Sequence, residues 1–370
     1  MNARADWRAT LATLTPRFAE RAAALDAADE FVAENYAEIK ASGLLAAGVP
    51  QELGGQGLEL AELCEMLRTL ARACPSTALA FSMHTHQVVI NTWRLRRQKA
   101  PVAPLLEKVA REGIVIVATG GGDWLDSSGD AVPAKDGFRV TVRKAFASGA
   151  PAGSVVSTSA VVRDGRSSAE VIHFLIPMST PGVSIAPTWR TLGMRSTASH
   201  DLVLEDVFVP DAAVGVRRPQ GKWHPLFHLI SLLAQPIIYS VYVGVAEAAR
   251  ERALELVRKR RPDEHLLQAV GELENRLESA RIAHADWVAF SSRAEPGPQA
   301  TNKSMINRTL VARGVLGTVD AAMEVAGGAA FFRAQGLERL FRDAQGARFH
   351  PLQEGLQKTL AGRIALGLEI

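Results

Sequence analysis

The chain has 370 residues, 47% hydrophobic and 22% charged, a composition that calls for a large buried core and excludes a disordered polyelectrolyte. That length exceeds one typical core, so two or three domains are expected. The 42 Lys and Arg are nearly matched by 39 Asp and Glu, giving a net charge of +3, and nothing points to a nucleic-acid partner.

The N-terminus, MNARADWRAT, is charged and lacks an apolar core, so it does not read as a signal peptide. Residues 1–112 read as helical, with Ala-rich stretches at 17–39, 57–74 and 102–112 and apolar residues at three- and four-residue spacing. Cys64 and Cys74 sit ten apart in one helical pattern and cannot bridge without bending it. Buried thiols of a reducing, cytoplasmic compartment are the expectation. GLLAAGVPQELGGQG, residues 43–57, is a connector, because it lacks the lysine and preceding strand that a phosphate loop requires.

From about residue 113 the period changes. Residues 114–118, 138–142, 154–158, 171–176 and 201–204 are short, β-branched runs punctuated by Gly, Pro, Asp and Ser. Such strands without intervening helices predict a small antiparallel barrel or sandwich over 113–221. Helical periodicity returns over 222–370, at 225–259, 263–291, 301–326 and 336–370 with breaks, which predicts a four-helix bundle. Pro225 to Ala246 carries no Asp, Glu, Lys or Arg and is long enough to span a bilayer. Its His228, Ser231, Gln235, Pro236 and Ser240 favour a buried bundle helix, so no membrane contact is expected. The run Arg258-Lys259-Arg260-Arg261 reads as a solvated helix end. The fold class is therefore α+β: helices, barrel, bundle.

The stretch from Gly327 to Gly355 holds the most unusual pattern: a glycine pair, the helix LERLFRD at 337–343, then His350-Pro351 and Glu354-Gly355. Glycines there permit close backbone approach, and Arg339, Arg342 and Asp343 are expected to pair along the helix.

Four passages in order make the chain resemble the acyl-CoA dehydrogenase superfamily along essentially its whole length. They are the 43–57 connector, VRKAFASGAP at 142–151, GVSIAPTWRTLGMRSTASHDLVLEDVFVP at 182–210, and the glycine pair followed by LERLFRD. The resemblance implies a flavin between barrel and bundle, usually FAD with FMN as the alternative, in a homodimer or homotetramer. It puts Thr119 and Ser148 at the isoalloxazine ring, the latter near N5, and Phe146 where the family has a covering tryptophan. A hydroxyl near N5 can donate to the reduced ring. Gly328 matches a glycine on the adenosine half, its neighbour Gly327 is a further cofactor-binding candidate, and Glu324 replaces an adenine-side glutamine, a charge that would repel phosphates.

The family's dehydrogenases need a carboxylate base close to the substrate Cα, in a site dry enough to raise its pKa. The resemblance places that base at Pro351, or on the first bundle helix near Ala234, neither of them acidic. Glu354 restores an Glu-Gly pair only after a three-residue insertion and is the remaining candidate base. Three functions follow. The first is an FAD-dependent acyl-CoA dehydrogenase oxidising the Cα–Cβ bond of an acyl thioester, with an electron-transfer flavoprotein as partner. The second is a two-component monooxygenase, supplied by a flavin reductase, that uses O2 through a flavin C4a-hydroperoxide. Family members of that kind carry a histidine near the His350 position, a serine at Ser148 and a histidine on an N-terminal helix, here His84 or His86. Residues two apart on a helix face nearly opposite ways, so only one of those two can reach the flavin. The third is a non-catalytic family member. No metal site is expected, since His84 and His86 lack further ligands at fixed spacing.

Overall fold

The computed structural model describes residues 6–165 and 169–370. The N-terminal domain holds α1 (Trp7–Ala28), α2 (Ala33–Ala41), α3 (Leu60–Ala73), α4 (Pro75–Gln98) and α5 (Ala103–Glu112). The Asp6 carboxylate caps α1 by accepting from the backbone N–H groups of Arg8 and Ala9. What reads as one helical pattern over 17–39 is two helices, because Asp29 stops α1 in a left-handed conformation with φ 54°. Cys74 is extended ahead of Pro75, as the proline ring demands, and there α3 gives way to α4. Both cysteines are buried and free.

Among the described residues the middle domain is one sheet of eight strands: β1 (Ile116–Ala118), β2 (Asp130–Ala134), β3 (Gly137–Ala147), β4 (Val155–Val162), β5 (Glu170–Pro177), β6 (Val183–Ala186), β7 (His200–Pro210) and β8 (Val214–Pro219). Its order is β6-β7-β3-β2-β4-β5-β8, with β1 joined to β4. The expected strands are all present, and β2, β6 and β8 are added to them. The sheet is not purely antiparallel, since β4 runs parallel to both β1 and β2. Alternation along β3 buries Phe138, Val140 and Val142 against Leu202, Leu204, Val207 and Val209 of β7.

The C-terminal domain holds α6 (Pro225–Val257), α7 (Glu264–Ser291) and α8 (Pro298–Ala326), followed by two short helices, α9 (Leu337–Ala344) and α10 (Glu354–Ala365). The fourth long segment is thus broken by the irregular stretch 345–353, which carries His350. Helix α6 is long and apolar enough to cross a membrane, yet 94% of its apolar window is buried against neighbouring helices. It is apolar on all sides because it is surrounded. Gly244 makes the α3 contact possible, since a Cβ there would stand 2.4 Å from the Arg68 carbonyl oxygen.

Candidate functional site

A cavity of about 980 Å³ opens where α4 and α5, the sheet ends, α6 and residues 342–351 converge. That is the upper end of the ~300–1,000 Å³ usual for small-molecule sites. One wall grows from the end of β3. A bulge against β7 between Lys144 and Ala147 puts Phe146 in the left-handed region, φ 64°, and leaves its ring half exposed at the cavity. Bulges re-aim side chains in this way, at the cost of local strain. The ring meets Trp189 edge-on at 6.1 Å. Ser148 follows, its hydroxyl 2.7 Å from that of Ser199, which in turn lies 2.7 Å from Thr197. Thr119 stands just past β1 and donates to the Thr158 hydroxyl at 2.6 Å. Thr119, Phe146 and Ser148 all line the same cavity.

The facing wall comes from α4, α6 and the 345–351 stretch. His86 lines the cavity, and its Nδ1 is buried without a partner among the described residues. Burial, with a smaller contribution from His84, pushes its pKa down to about 4. His350 is held at Nε2 by the Tyr242 hydroxyl, 2.7 Å away. Burial keeps Tyr242 protonated, and among the described residues no other partner meets its hydroxyl; with that O–H as the donor, the imidazole proton sits on Nδ1. Burial and then the Arg308 charge lower the His350 pKa to about 3, and His86 adds a smaller push in the same direction. Both imidazoles are neutral near pH 7. The His350 segment is fixed by buried Arg308, whose Nη2 donates to the carbonyls of Ala347, Arg348 and His350 at 3.0, 3.0 and 2.9 Å.

The two helix histidines have different surroundings. His84 donates from Nε2 to the Leu45 carbonyl at 2.9 Å and accepts the Ile116 N–H on Nδ1 at 3.0 Å. Both nitrogens are committed, so His84 ties α4 to the connector and β1 and does not line the cavity. Glu354, the remaining candidate base, is not on the cavity wall. It stands at the start of α10, ion-paired to Arg313 and, at 2.7 Å, to Lys358. Those partners hold its pKa at about 2, the reverse of what a general base needs, and it is absent from the cavity wall. Gly327, Gly328 and Glu324 are exposed and also lie away from this cavity, so within one chain they contact no flavin held there.

The pairing expected along LERLFRD takes another form. Arg342 reaches Glu338 and, across the domain boundary, Asp26, each at 2.6 Å. Asp343 accepts the Met194 N–H instead, and burial raises its pKa to about 6. Gly193 allows this docking, because a Cβ there would meet the Arg342 carbonyl oxygen at 2.3 Å.

Among the described residues lining the cavity there is no Asp, Glu or Lys. Ala234 and Pro351, the two positions where the resemblance would put a base, both line it and neither can take a proton. Tyr242, Arg308 and Trp189 escaped the sequence reading. Tyr242 and Arg308 look like ordinary helix residues until the 345–351 stretch folds over them, whereas Trp189 could have been marked as the aromatic next to the β7 motif.

Three models of one family match in order: the acyl-CoA dehydrogenase N-terminal domain over residues 6–111, the middle domain over 119–207 and the C-terminal domain over 237–354. The chain belongs to the acyl-CoA dehydrogenase superfamily and is a flavin-dependent enzyme of that fold. YdbM of Bacillus subtilis (strain 168), which bears an acyl-CoA dehydrogenase name, is 27% identical, with 93% of this chain and 92% of its own length aligned. The amino sugar nitrososynthase RubN8 of Streptomyces rubradiris is 28% identical over 96% of this chain and 88% of its own. The X-ray structure of KijD3 with FMN and dTDP-3-amino-2,3,6-trideoxy-4-keto-3-methyl-D-glucose superposes with a TM-score of 0.89 at 26% identity, covering 98% of this chain and 94% of that one. The residues present suit a flavin: hydroxyls at Thr119 and Ser148, flat aromatic walls at Phe146 and Trp189, an unpartnered buried His86 Nδ1, and volume to hold the ring.

Proposed function

We propose that this chain is the oxygenase component of a two-component flavin-dependent monooxygenase that inserts one atom of O2 into a small heteroatom-bearing or aromatic substrate. One observation carries the reading: the cavity has three neutral histidines, His86, His173 and His350, and no carboxylate, with Ala234 and Pro351 where a dehydrogenase would keep its base. Oxidation of an acyl thioester is the weaker reading, because removal of the α-proton needs an acceptor within reach and Glu354 is turned to Arg313 and Lys358 on the surface.

A reduced flavin bound here supplies two electrons to O2, so that one oxygen atom enters the substrate and the other leaves as water. Thr119 and Ser148 would hold the ring edge, with the Phe146 and Trp189 side chains beside it. Tyr242 fixes the tautomer that lets His350 donate its Nδ1–H to an oxygen atom in the cavity. His86 presents a second neutral imidazole from α4, able to accept or return a proton. The apolar remainder of the wall, Met83, Ile90, Leu226, Phe227 and Ile230 among it, excludes water that would divert the oxidant to hydrogen peroxide. FMN suits the site better than FAD: the residues expected on the adenosine half lie outside the cavity, Glu324 would repel a diphosphate, and KijD3 is seen with FMN. A flavin reductase is the proposed partner. Self-association is the proposed role for Phe331 and Phe332, which are 87% and 66% exposed.

The test is direct. Purified chain is given FMN, a flavin reductase and NADH in air with a panel of amines and thioethers, and oxygenated product is measured against hydrogen peroxide. A parallel anaerobic sample receives acyl-CoA esters of several lengths. Product with no anaerobic bleaching is expected. Bleaching of the flavin by an acyl-CoA, abolished by Glu354→Gln, would overturn the proposal.

A further inference from the structure

The cavity holds a charge that oxygenation chemistry does not use. Arg94 lines the α4 wall, half buried, and its guanidinium makes no hydrogen bond, ion pair or ring contact with any described residue. Burial lowers its pKa, as expected of a guanidinium partly stripped of water. Its neighbours differ. Arg96 and Arg97, in the same last turn of α4, face Glu59 at 3.7 Å and Glu295 at 3.6 Å. Arg342, the other arginine on the cavity wall, is held by Asp26 and Glu338. Buried Arg218 donates to His173 and to the carbonyls of Trp124, Leu125 and Pro219.

A positive charge at the C-terminal end of a helix is favoured by the helix dipole, which accounts for an arginine there. The dipole does not account for a side chain turned into a cavity without a counter-ion, when no Asp or Glu lines that cavity. An unpaired charge in a low-dielectric wall is costly unless a ligand neutralises it. Two neutral amides flank it on the same face of α4. Among the described residues Gln87 has no side-chain partner, and Asn91 spends one N–H on the Gln87 backbone carbonyl at 2.8 Å, its oxygen and second N–H meeting no other described residue. Met83, His86, Gln87, Ile90, Asn91 and Arg94 follow three- and four-residue steps along one stripe. Arg94 lies eight residues beyond His86, roughly 12 Å along the helix axis at 1.5 Å per residue.

We propose that Arg94, assisted by Gln87 and Asn91, is the anion subsite of this cavity, and that the substrate carries a phosphate or carboxylate roughly 12 Å from the atom presented to His86 and His350. That the anion belongs to the substrate rests on the oxygenase reading; the subsite itself rests on Arg94 alone. A bidentate guanidinium would hold that end rigidly and fix how far the reacting atom enters.

The experiment uses FMN-loaded protein, oxidised, so that no turnover is involved. Phenyl phosphate and phenylacetate are titrated calorimetrically, with phenol and toluene as neutral controls. Tighter binding of at least one anion than of its neutral control is expected, by about tenfold or more and weakening with salt. Arg94→Gln should erase that difference and Arg94→Lys should keep part of it. The melting temperature should stay within a few degrees, because Arg94 has no internal partner to lose. Equal binding of anion and neutral control by the native protein would overturn the inference, as would unchanged anion preference in Arg94→Gln. A loss of FMN affinity in Arg94→Gln as large as the loss of anion affinity would also overturn it, since Arg94 would then hold the flavin's own phosphate. Failure of oxygenation with intact anion binding sinks the monooxygenase proposal and leaves the subsite standing.

Discussion

His350 and Glu354 are four residues apart in the chain and opposite in environment. The stretch that carries His350 folds inward, its carbonyls gathered by Arg308 and its imidazole held by Tyr242. One turn later Glu354 begins α10 on the surface between two cations, Arg313 and Lys358. Desolvation lowers the histidine's pKa by opposing its charged form, while the nearby cations lower the carboxylate's by favouring its charged form. The shifts share a direction and differ in consequence. His350 becomes a neutral imidazole on the cavity wall, whereas Glu354 becomes a permanently charged surface anchor.

The contrast breaks most visibly if His350 is removed. His350→Ala should cut oxygenated product by about a hundredfold or more, within the range for loss of a positioned acid or base, while hydrogen peroxide rises. Product formation at the native rate would end the assignment. Arg308→Met should come next, leaving three carbonyls without their shared buried donor and costing about 3 kcal/mol, read as a drop in denaturant midpoint and in product yield together. Tyr242→Phe sharpens the comparison without dismantling the loop: it frees Nε2 of His350, lets the tautomer vary, and should lower the product-to-peroxide ratio about tenfold with FMN affinity unchanged.

Acid should then separate folding from chemistry. His84, His86 and His284 have pKa values pushed down by burial to about 4 from 6.5. The unfolded chain therefore binds more protons than the folded one below pH 6.5. Stability is complete above that value and falls as pH drops from about 6.5 toward 4, which a series of melting curves would record as a loss of several degrees. Turnover per folded molecule should stay flat from pH 8 down to about 5, with no break near 6.5, because His86 and His350 remain neutral throughout. The smallest effect belongs to Glu354→Gln. Its ion pairs are largely exposed, so less than about 1 kcal/mol is at stake and product formation should change by less than twofold.

Much of the fold was legible in the chain because it rests on local chemistry. Three- and four-residue periodicity marked the long helices and β-branched runs marked five strands, but the glycine pair read as a close approach has nothing within 4 Å of an added Cβ at Gly327 or Gly328. Burial of α6 followed from polar residues inside its apolar run. That only one of His84 and His86 could face the cavity also followed from helix geometry. Which one could not be read, since it depends on the carbonyl of Leu45 and the amide of Ile116, 39 and 32 residues away.

By itself, then, the sequence determined the order of helical, sheet and helical domains, the family, and the absence of an acid at Ala234 and Pro351. Periodicity and spacing are properties of neighbours along the chain. Only the tertiary structure decided that Glu354 faces Arg313, that the Tyr242 hydroxyl meets Nε2 of His350, and that Arg94 reaches the cavity without a counter-ion among the described residues. A side chain's pKa and hydrogen-bond partners depend on groups brought close by folding, and those groups lie tens to hundreds of residues distant.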